Sequence, residues 1–281
     1  MKNILVPTDF SPTAKNALIY AEALAKDIDA HLKVVNVCHP STDTADGFLI
    51  PSLEELKKAR EEKLDQFVFK SNGENDINSI GSKSSFDQEV VIGYAGDVLP
   101  ELSKDEQTDL ILMGTTGEGG VLMNLFGSIS SKVAQNSGSP VWLIPPESKY
   151  TGLKKIVYAG NYQSADEKTL NEIRTFAETF DAALDIIHVN TSKNKDDFQM
   201  EAFVVEELFK QKYPDVNFHA YPKEGAVWES INNYAEEQEA DLIVLVTRER
   251  TFRESIFHKR TTRPLILNTK TPILILHSEK V

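Results

Sequence analysis

The chain has 281 residues, 41% hydrophobic and 26% charged, which is globular composition with length for about two domains. Its 30 basic and 43 acidic side chains leave a formal charge of −13, which argues against a nucleic-acid binder, since that function needs a net basic face. The lone cysteine, Cys38, excludes an internal disulfide framework and fits a reducing compartment, and neither a signal peptide nor a membrane-length apolar run is seen, so the expectation is a soluble cytoplasmic protein.

Asn3–Val6 is a short apolar run and reads as a buried strand. Ser11 and Pro12 then supply an N-cap and a first-turn proline. Ala17, Leu18, Ala21, Leu24, Ala25 and Ile28 follow at helical spacing. His31–Val37 reads as a second strand. Ser52 with Glu55 forms a capping box for a charged helix to about Phe69. Ser71–Ser85, rich in Asn, Ser, Gly and Asp, reads as a mobile loop. A third strand follows at Asp87–Ile92 and a helix from Asp97 to about Glu106. Asp109–Gly114 and Val141–Pro145 read as the fourth and fifth strands, with a helix over about Ser130–Asn136 between them.

The second half repeats the first. Lys2–Val37 aligns without gaps on Lys154–Val189, with identities at Lys2, Ile4, Leu18, Ala25, Asp29, Ala30, Leu32 and Val37. Asp109–Ile144 aligns likewise on Asp241–Leu276, so the offset falls from 152 to 132 residues between the blocks. Two ordered blocks make a tandem duplication. The boundary lies near Pro146–Gly152, giving domains 1–148 and 152–281. Strands alternating with helices imply an α/β fold, with a parallel, doubly wound sheet in each copy. Ligands of such sheets sit at the carboxyl ends of the strands.

After the fourth strand comes Gly114-Thr-Thr-Gly117, then nine residues, then Gly127-Ser128-Ile129-Ser130 opening a helix. Glycines here let the backbone approach an anion, and successive N–H groups with a helix N-terminus can hold phosphate. Ser128 and Ser130 can add hydroxyl donors. Glycines are also common in strand-to-helix turns for packing alone, and both readings stand.

This Gly-x2-Gly-x9-Gly-Ser pattern resembles the ATP-binding signature of the universal stress protein family. VPTDFS at residues 6–11, DLILMG before the loop and PVWLIP after it extend the resemblance, and the repeat carries it through both halves. The resemblance implies two Rossmann-like domains of the adenine nucleotide alpha hydrolase type, each with a five-stranded parallel sheet and helices on both faces. It implies ATP as ligand of the first domain. Asp9 would lie beside the adenosine, with an N-cap or turn aspartate as the competing local role. Val37 would set its backbone against the adenine, Met113 the pocket floor, and Pro7 and Thr8 its wall. Gly114, Gly117, Gly127, Ser128, Ile129 and Ser130 would hold the phosphates. It also implies pairing of the two copies through 141–145 and 273–277; association of two chains into a homodimer is left open.

Two departures stand out. Glu118 follows the second glycine, and Lys132 is the only basic residue between Gly114 and Lys132. Binding is therefore expected to be weak or to need Mg²⁺ bridging the phosphates. The second copy has lost the signature: Val246 replaces Gly114, Glu249 replaces Gly117, Lys259 replaces Gly127, Arg260 replaces Ser128 and Asn161 replaces Asp9. Its Arg248–Arg263 segment holds six basic residues against two acidic ones, either as a loop docking on acidic surface or as a replacement anion site. No P-loop, GxSxG, HExxH or CxxC motif occurs. The expectation is a nucleotide-binding stress regulator rather than an enzyme. A scaffold without nucleotide and a slow magnesium-dependent ATPase are the alternatives.

Overall fold

The computed structural model describes residues 1–39, 52–71, 86–104, 107–115, 128–160, 167–190, 203–204, 206–207, 210–223, 225–248 and 269–278. The chain forms two compact units, Met1–Lys149 and Tyr150–Val281.

In the first unit the elements are β1 (Asn3–Pro7), α1 (Pro12–Ile28), β2 (His31–Cys38), α2 (Leu53–Ser71), β3 (Asp87–Ile92), α3 (Ala95–Leu102), β4 (Leu110–Gly114), α4 (Ser128–Asn136) and β5 (Val141–Ile144). The strands run parallel in the order β3-β2-β1-β4-β5. Right-handed crossovers place α1 and α2 on one face and α3 and α4 on the other, and each pair is in contact. Strands covered on both faces must be apolar throughout, and Leu110–Met113 and Val141–Ile144 are buried at every position.

The local signals explain the helix ends. The Ala14 amide donates to Ser11 Oγ at 3.1 Å, and Pro12 opens α1. Ala14, Ala17, Leu18, Ala21, Leu24 and Ala25 form its buried stripe, and Asp29 ends it in the left-handed conformation (φ 52°). Ser52 and Glu55 exchange capping bonds at 2.8 and 3.1 Å before α2. The third helix departs from its expected span of Asp97 to about Glu106, since it covers Ala95–Leu102. Its end is set by buried Ser103, whose hydroxyl donates to Pro100 O at 2.6 Å and accepts from the Gly138 amide at 2.8 Å. The helix from about Ser130 begins two residues earlier, at Ser128. The expected loop at Ser71–Ser85 lies, beyond Ser71, outside the described residues.

Among the described residues of the second unit, besides helical residues at 203–204, 206–207 and 210–212, the elements are β6 (Lys155–Ala159), α5 (Glu167–Thr179), β7 (Ala183–Asn190), β8 (Val216–Pro222), α6 (Val227–Glu237), β9 (Leu242–Arg248) and β10 (Ile273–Ser278). Its strands are parallel in the order β10-β9-β6-β7-β8. The duplication extends to single hydrogen bonds. Asp109 Oδ2 accepts from the amides of Lys2 and Asn3 at 2.6 and 3.0 Å, and Asp241 Oδ2 accepts from those of Lys154 and Lys155 at 2.7 and 2.9 Å. The Ser139 amide donates to Ser137 Oγ at 3.1 Å, as the Thr271 amide does to Thr269 Oγ1 at 3.0 Å. Both domains are Rossmann-like α/β units. β8 and α6 hold the places of β3 and α3, in the stretch where the sequence alignment breaks.

Candidate functional site

In the first domain β1 connects to β2 on one side of the sheet, while β4 lies on its other side. The crevice at this reversal of strand order is where the fold exposes the carboxyl ends of β1, β2 and β4 to a ligand. Pro7 and Thr8 are buried there, Asp9 and Val37 are half-buried, and Met113 is 7% exposed. Those five expected site residues are thus brought to one rim, with Gly114 at the end of β4.

The turn after β1 is tightly framed. The Thr8 amide donates to Val35 O at 2.9 Å, and Asn36 Nδ2 donates to Thr8 O at 2.7 Å. The Phe10 amide donates to Thr8 Oγ1 at 3.0 Å, and the Ser11 amide to Asp9 Oδ1 at 3.0 Å. Asp9 is therefore a turn aspartate, and the turn holds its carboxylate at the rim. Phe10 has a φ of 68°, a conformation that costs about 1–3 kcal/mol for a bulky residue and is concentrated at functional turns. Its ring meets Phe67 of α2 edge-on at 5.5 Å, with Lys63 Nζ 4.4 Å above it. Sequence patterning gave no sign of this cation-capped pair, because it joins two residues far apart in the chain.

The direction of the Val37 backbone follows from its neighbours. In a parallel strand the N–H and C=O of one residue point to the same side, and successive residues alternate. Val35 O takes its bond from β1 through Thr8, and Cys38 O accepts from the Gly93 amide after β3 at 2.9 Å. Val37 therefore turns its N–H and C=O toward the β1 side, two residues beyond the last paired position, Pro7↔Val35. There β1 has already turned away into α1. A donor and an acceptor lie side by side at the crevice.

On the β4 side, Gly114 is required by packing: a Cβ at this position would fall 2.7 Å from Thr13 Cγ2 and 3.2 Å from Thr13 O. The next residue, Thr115, is pinned through its amide to Ile144 O at 3.0 Å, and its carbonyl accepts from Ser130 Oγ at 3.2 Å. That bond ties the first turn of α4 to the end of β4. Ile129 is 41% exposed, and Ser130 is buried. Gly117, Glu118 and Gly127 lie outside the described residues, as does the side chain of Ser128. Lys132 Nζ sits 2.6 Å from Asp97 Oδ1 of α3, so the one basic side chain of the segment is engaged by a carboxylate. Chemically, the rim offers an in-plane donor–acceptor pair at Val37, a carboxylate at Asp9 and the N-terminal end of α4, where the helix dipole favours an anion.

The second domain keeps one part of this rim. The Gly160 amide donates to Ile187 O at 3.1 Å, and His188 Nδ1 lies 3.4 Å from Gly160 O. These are the bonds of Thr8 and Asn36, shifted by the repeat offset of 152. In place of Gly114, Val246 lies within β9, in register with Leu276. Asn161, Glu249, Lys259 and Arg260 lie outside the described residues, as does the basic segment beyond Arg248.

The family model of the universal stress protein family matches residues 1–145 and again residues 152–277. The chain belongs to the universal stress protein family. Universal stress protein MJ0531 of Methanocaldococcus jannaschii is 29% identical over 151 residues, which cover 53% of this chain and 84% of that protein. Universal stress protein MJ0577 of the same organism is 28% identical over 156 residues, covering 51% of this chain and 94% of the relative. The fold recurs at full length in a universal stress protein from Archaeoglobus fulgidus, with a TM-score of 0.70, 20% identity and 98% of each chain covered. A putative universal stress protein from Pseudomonas aeruginosa superposes with a TM-score of 0.62 at 15% identity, covering 99% of this chain and 93% of that one. These two likenesses speak to the fold. The tandem universal stress protein arrangement is thus established by the two matched segments.

Proposed function

We propose that the first domain of this universal stress protein binds ATP and that the second is a partner without a phosphate site. The observation that carries the reading is the Val37 backbone, whose N–H and C=O face the crevice past the end of β1. Adenine offers a matching acceptor and donor on its N1/N6 edge. The residues fit the group at three further points. Asp9 holds a half-buried carboxylate at the rim, suited to a ribose hydroxyl. Met113 gives the pocket an apolar floor. The N-terminal end of α4, anchored through Ser130 to Thr115, follows the glycine signature directly and receives the phosphates.

Charge sets the conditions. Lys132 is engaged by Asp97 and Glu118 is acidic, so the triphosphate meets little compensating protein charge in this segment. Mg²⁺ bridging the phosphates supplies it, and affinity depends on the metal. The same shortage of positioned cations makes this a binding and regulatory site rather than an efficient phosphoryl-transfer catalyst. The function is adenine-nucleotide-linked adaptation in the cytoplasm.

One observation favours a second reading, a scaffold that binds no nucleotide: the contact with Thr13 alone accounts for Gly114. The two are separated by chromatography of a denatured extract of freshly purified protein, together with thermal melting with and without Mg·ATP. Co-purified adenine nucleotide, or a rise in melting temperature of several degrees at millimolar Mg·ATP, supports the site. Neither at millimolar ligand supports the scaffold. Sustained phosphate release during the same incubation would overturn the non-catalytic part of the reading.

A further inference from the structure

We infer that the aromatic pair of Phe10 and Phe67 is a clamp that holds the Asp9 carboxylate in its binding position, so that nucleotide binding and the docking of α2 are coupled. The coupling rests on the nucleotide reading of the first domain. Asp9 and Phe10 share one turn, closed by the bond from the Phe10 amide to Thr8 Oγ1 and by that from the Ser11 amide to Asp9 Oδ1. Phe10 holds this turn at a φ of 68°, a left-handed value that a bulky residue keeps only when its surroundings enforce it. The enforcing contacts come from α2. Phe67 meets the Phe10 ring edge-on at 5.5 Å, Lys63 Nζ lies 4.4 Å from the Phe10 centroid and Arg60 Cζ 5.9 Å from it. Lys15 of α1 ties Phe67 down in turn: its Nζ donates to Phe67 O at 2.9 Å and lies 5.0 Å from the Phe67 ring centroid.

The opposing effects are of similar size. An edge-on aromatic pair and a cation over its ring each contribute roughly two- to tenfold to an equilibrium, and the left-handed residue costs roughly five- to a hundredfold. Loss of either contact therefore moves the turn, and Asp9 with it. The helix depends on the same contact, since among the described residues of α2 only Leu64 and Val68 are buried and Phe67 is half-buried. Linked equilibria are reciprocal. A nucleotide that engages Asp9 stabilises the turn, the clamp and the seating of α2 together, and occupancy of the crevice is thereby felt along that helix.

The test is calorimetric titration of the full chain with Mg·ATP and, separately, with magnesium tripolyphosphate, for the wild type, Phe67→Ala, Phe10→Gly, the two combined, and Gly127→Lys. Amide exchange over α2 is followed with and without Mg·ATP. Phe67→Ala should lower the affinity for ATP about tenfold, because the binding-competent turn is less populated, and leave tripolyphosphate binding unchanged. In Phe10→Gly the turn reaches its φ without strain and Phe67 has lost its partner, so adding Phe67→Ala should cause no further loss. Mg·ATP should slow exchange over α2 in the wild type and not in Phe10→Gly. Phe67→Leu keeps an apolar side chain on α2 and should show the same pattern at smaller size, which covers a failure of the alanine variant to fold. Wild-type affinity for ATP in Phe67→Ala, while Gly127→Lys abolishes binding, overturns the clamp and leaves the nucleotide site standing. Equal losses with and without the Phe10 ring, or equal losses for ATP and tripolyphosphate, also overturn it, because a general structural defect acts on all of them. A wild type that binds neither ligand overturns the nucleotide reading and the clamp together.

Discussion

Asp109 and Asp241 perform the same task in the two domains, each holding two amides at the start of the first strand of its unit. Ser137 and Thr269 close the same turn before the last strand. At the carboxyl ends of the strands the domains part. The first ends β4 in Gly114 and continues into the glycine signature, while the second has Val246 within β9 and no signature. They also differ inside. Lys33 of β2 forms a surface pair with Glu89 at 2.8 Å. Its repeat counterpart Asp185 is 1% exposed and held by Tyr234, Asn217 and Lys155. The duplicated skeleton is common to both copies, while the first carries the glycine signature and the second a buried polar network. Burial and the Asp185 carboxylate push the Tyr234 phenol far above its ordinary range, so it stays a donor at any working pH.

The largest stability effect should expose this internal difference. Asp185→Ala leaves the Tyr234 hydroxyl and the Asn217 amide without their acceptor and removes the partner of Lys155. The expected cost is about 3 kcal/mol, confined to the second domain. Urea unfolding should then show the second domain melting first, with ATP binding by the first retained. An unchanged transition would mean the network contributes nothing.

A second substitution separates the two roles of a signature glycine. Gly114→Ala drives a Cβ against Thr13, including its carbonyl, so we expect about 1–3 kcal/mol of lost stability in protein free of nucleotide. Wild-type stability with impaired ATP binding would show instead that the glycine serves only the ligand.

The smallest effect tests the shared skeleton. Amides of Lys2 and Asn3 hold the Asp109 carboxyl below the usual carboxylate range. A depressed native pKa means stabilisation that is present above the unfolded value, near 4, and lost as the pH falls through the native one. Asp109→Asn should cost about 1 kcal/mol at pH 7, because the site is partly solvated, and the gap to wild type should shrink below pH 4. A gap independent of pH would contradict the charge-based account.

Much of this was legible in the sequence. The apolar runs and the cap residues Ser11 and Ser52 located the strands and the first two helices of the first domain. The duplication followed from two gapless blocks. Pro7, Thr8, Asp9, Val37 and Met113 reach one rim because each lies at the carboxyl end of a strand, which strand order alone fixes. Features that depend on contacts between distant residues were not legible. Ser103 ends α3 early through bonds to the turn around Gly138 and Ser139. The need for a glycine at 114 comes from Thr13, about one hundred residues away in the chain. Nor could the sequence show that Lys132, the one basic residue of its segment, is engaged by Asp97.

The central claim is that one domain of the pair binds nucleotide. Calorimetric titration of the full chain with ATP, with and without Mg²⁺, tests it directly when wild type is compared with Gly127→Lys, which copies the second domain's residue into the first. The account predicts a single magnesium-dependent site per chain in the wild type and a loss of about a hundredfold or more in the variant, since a long side chain enters where backbone must meet phosphate. Two sites per chain, or binding that survives the substitution, would contradict it.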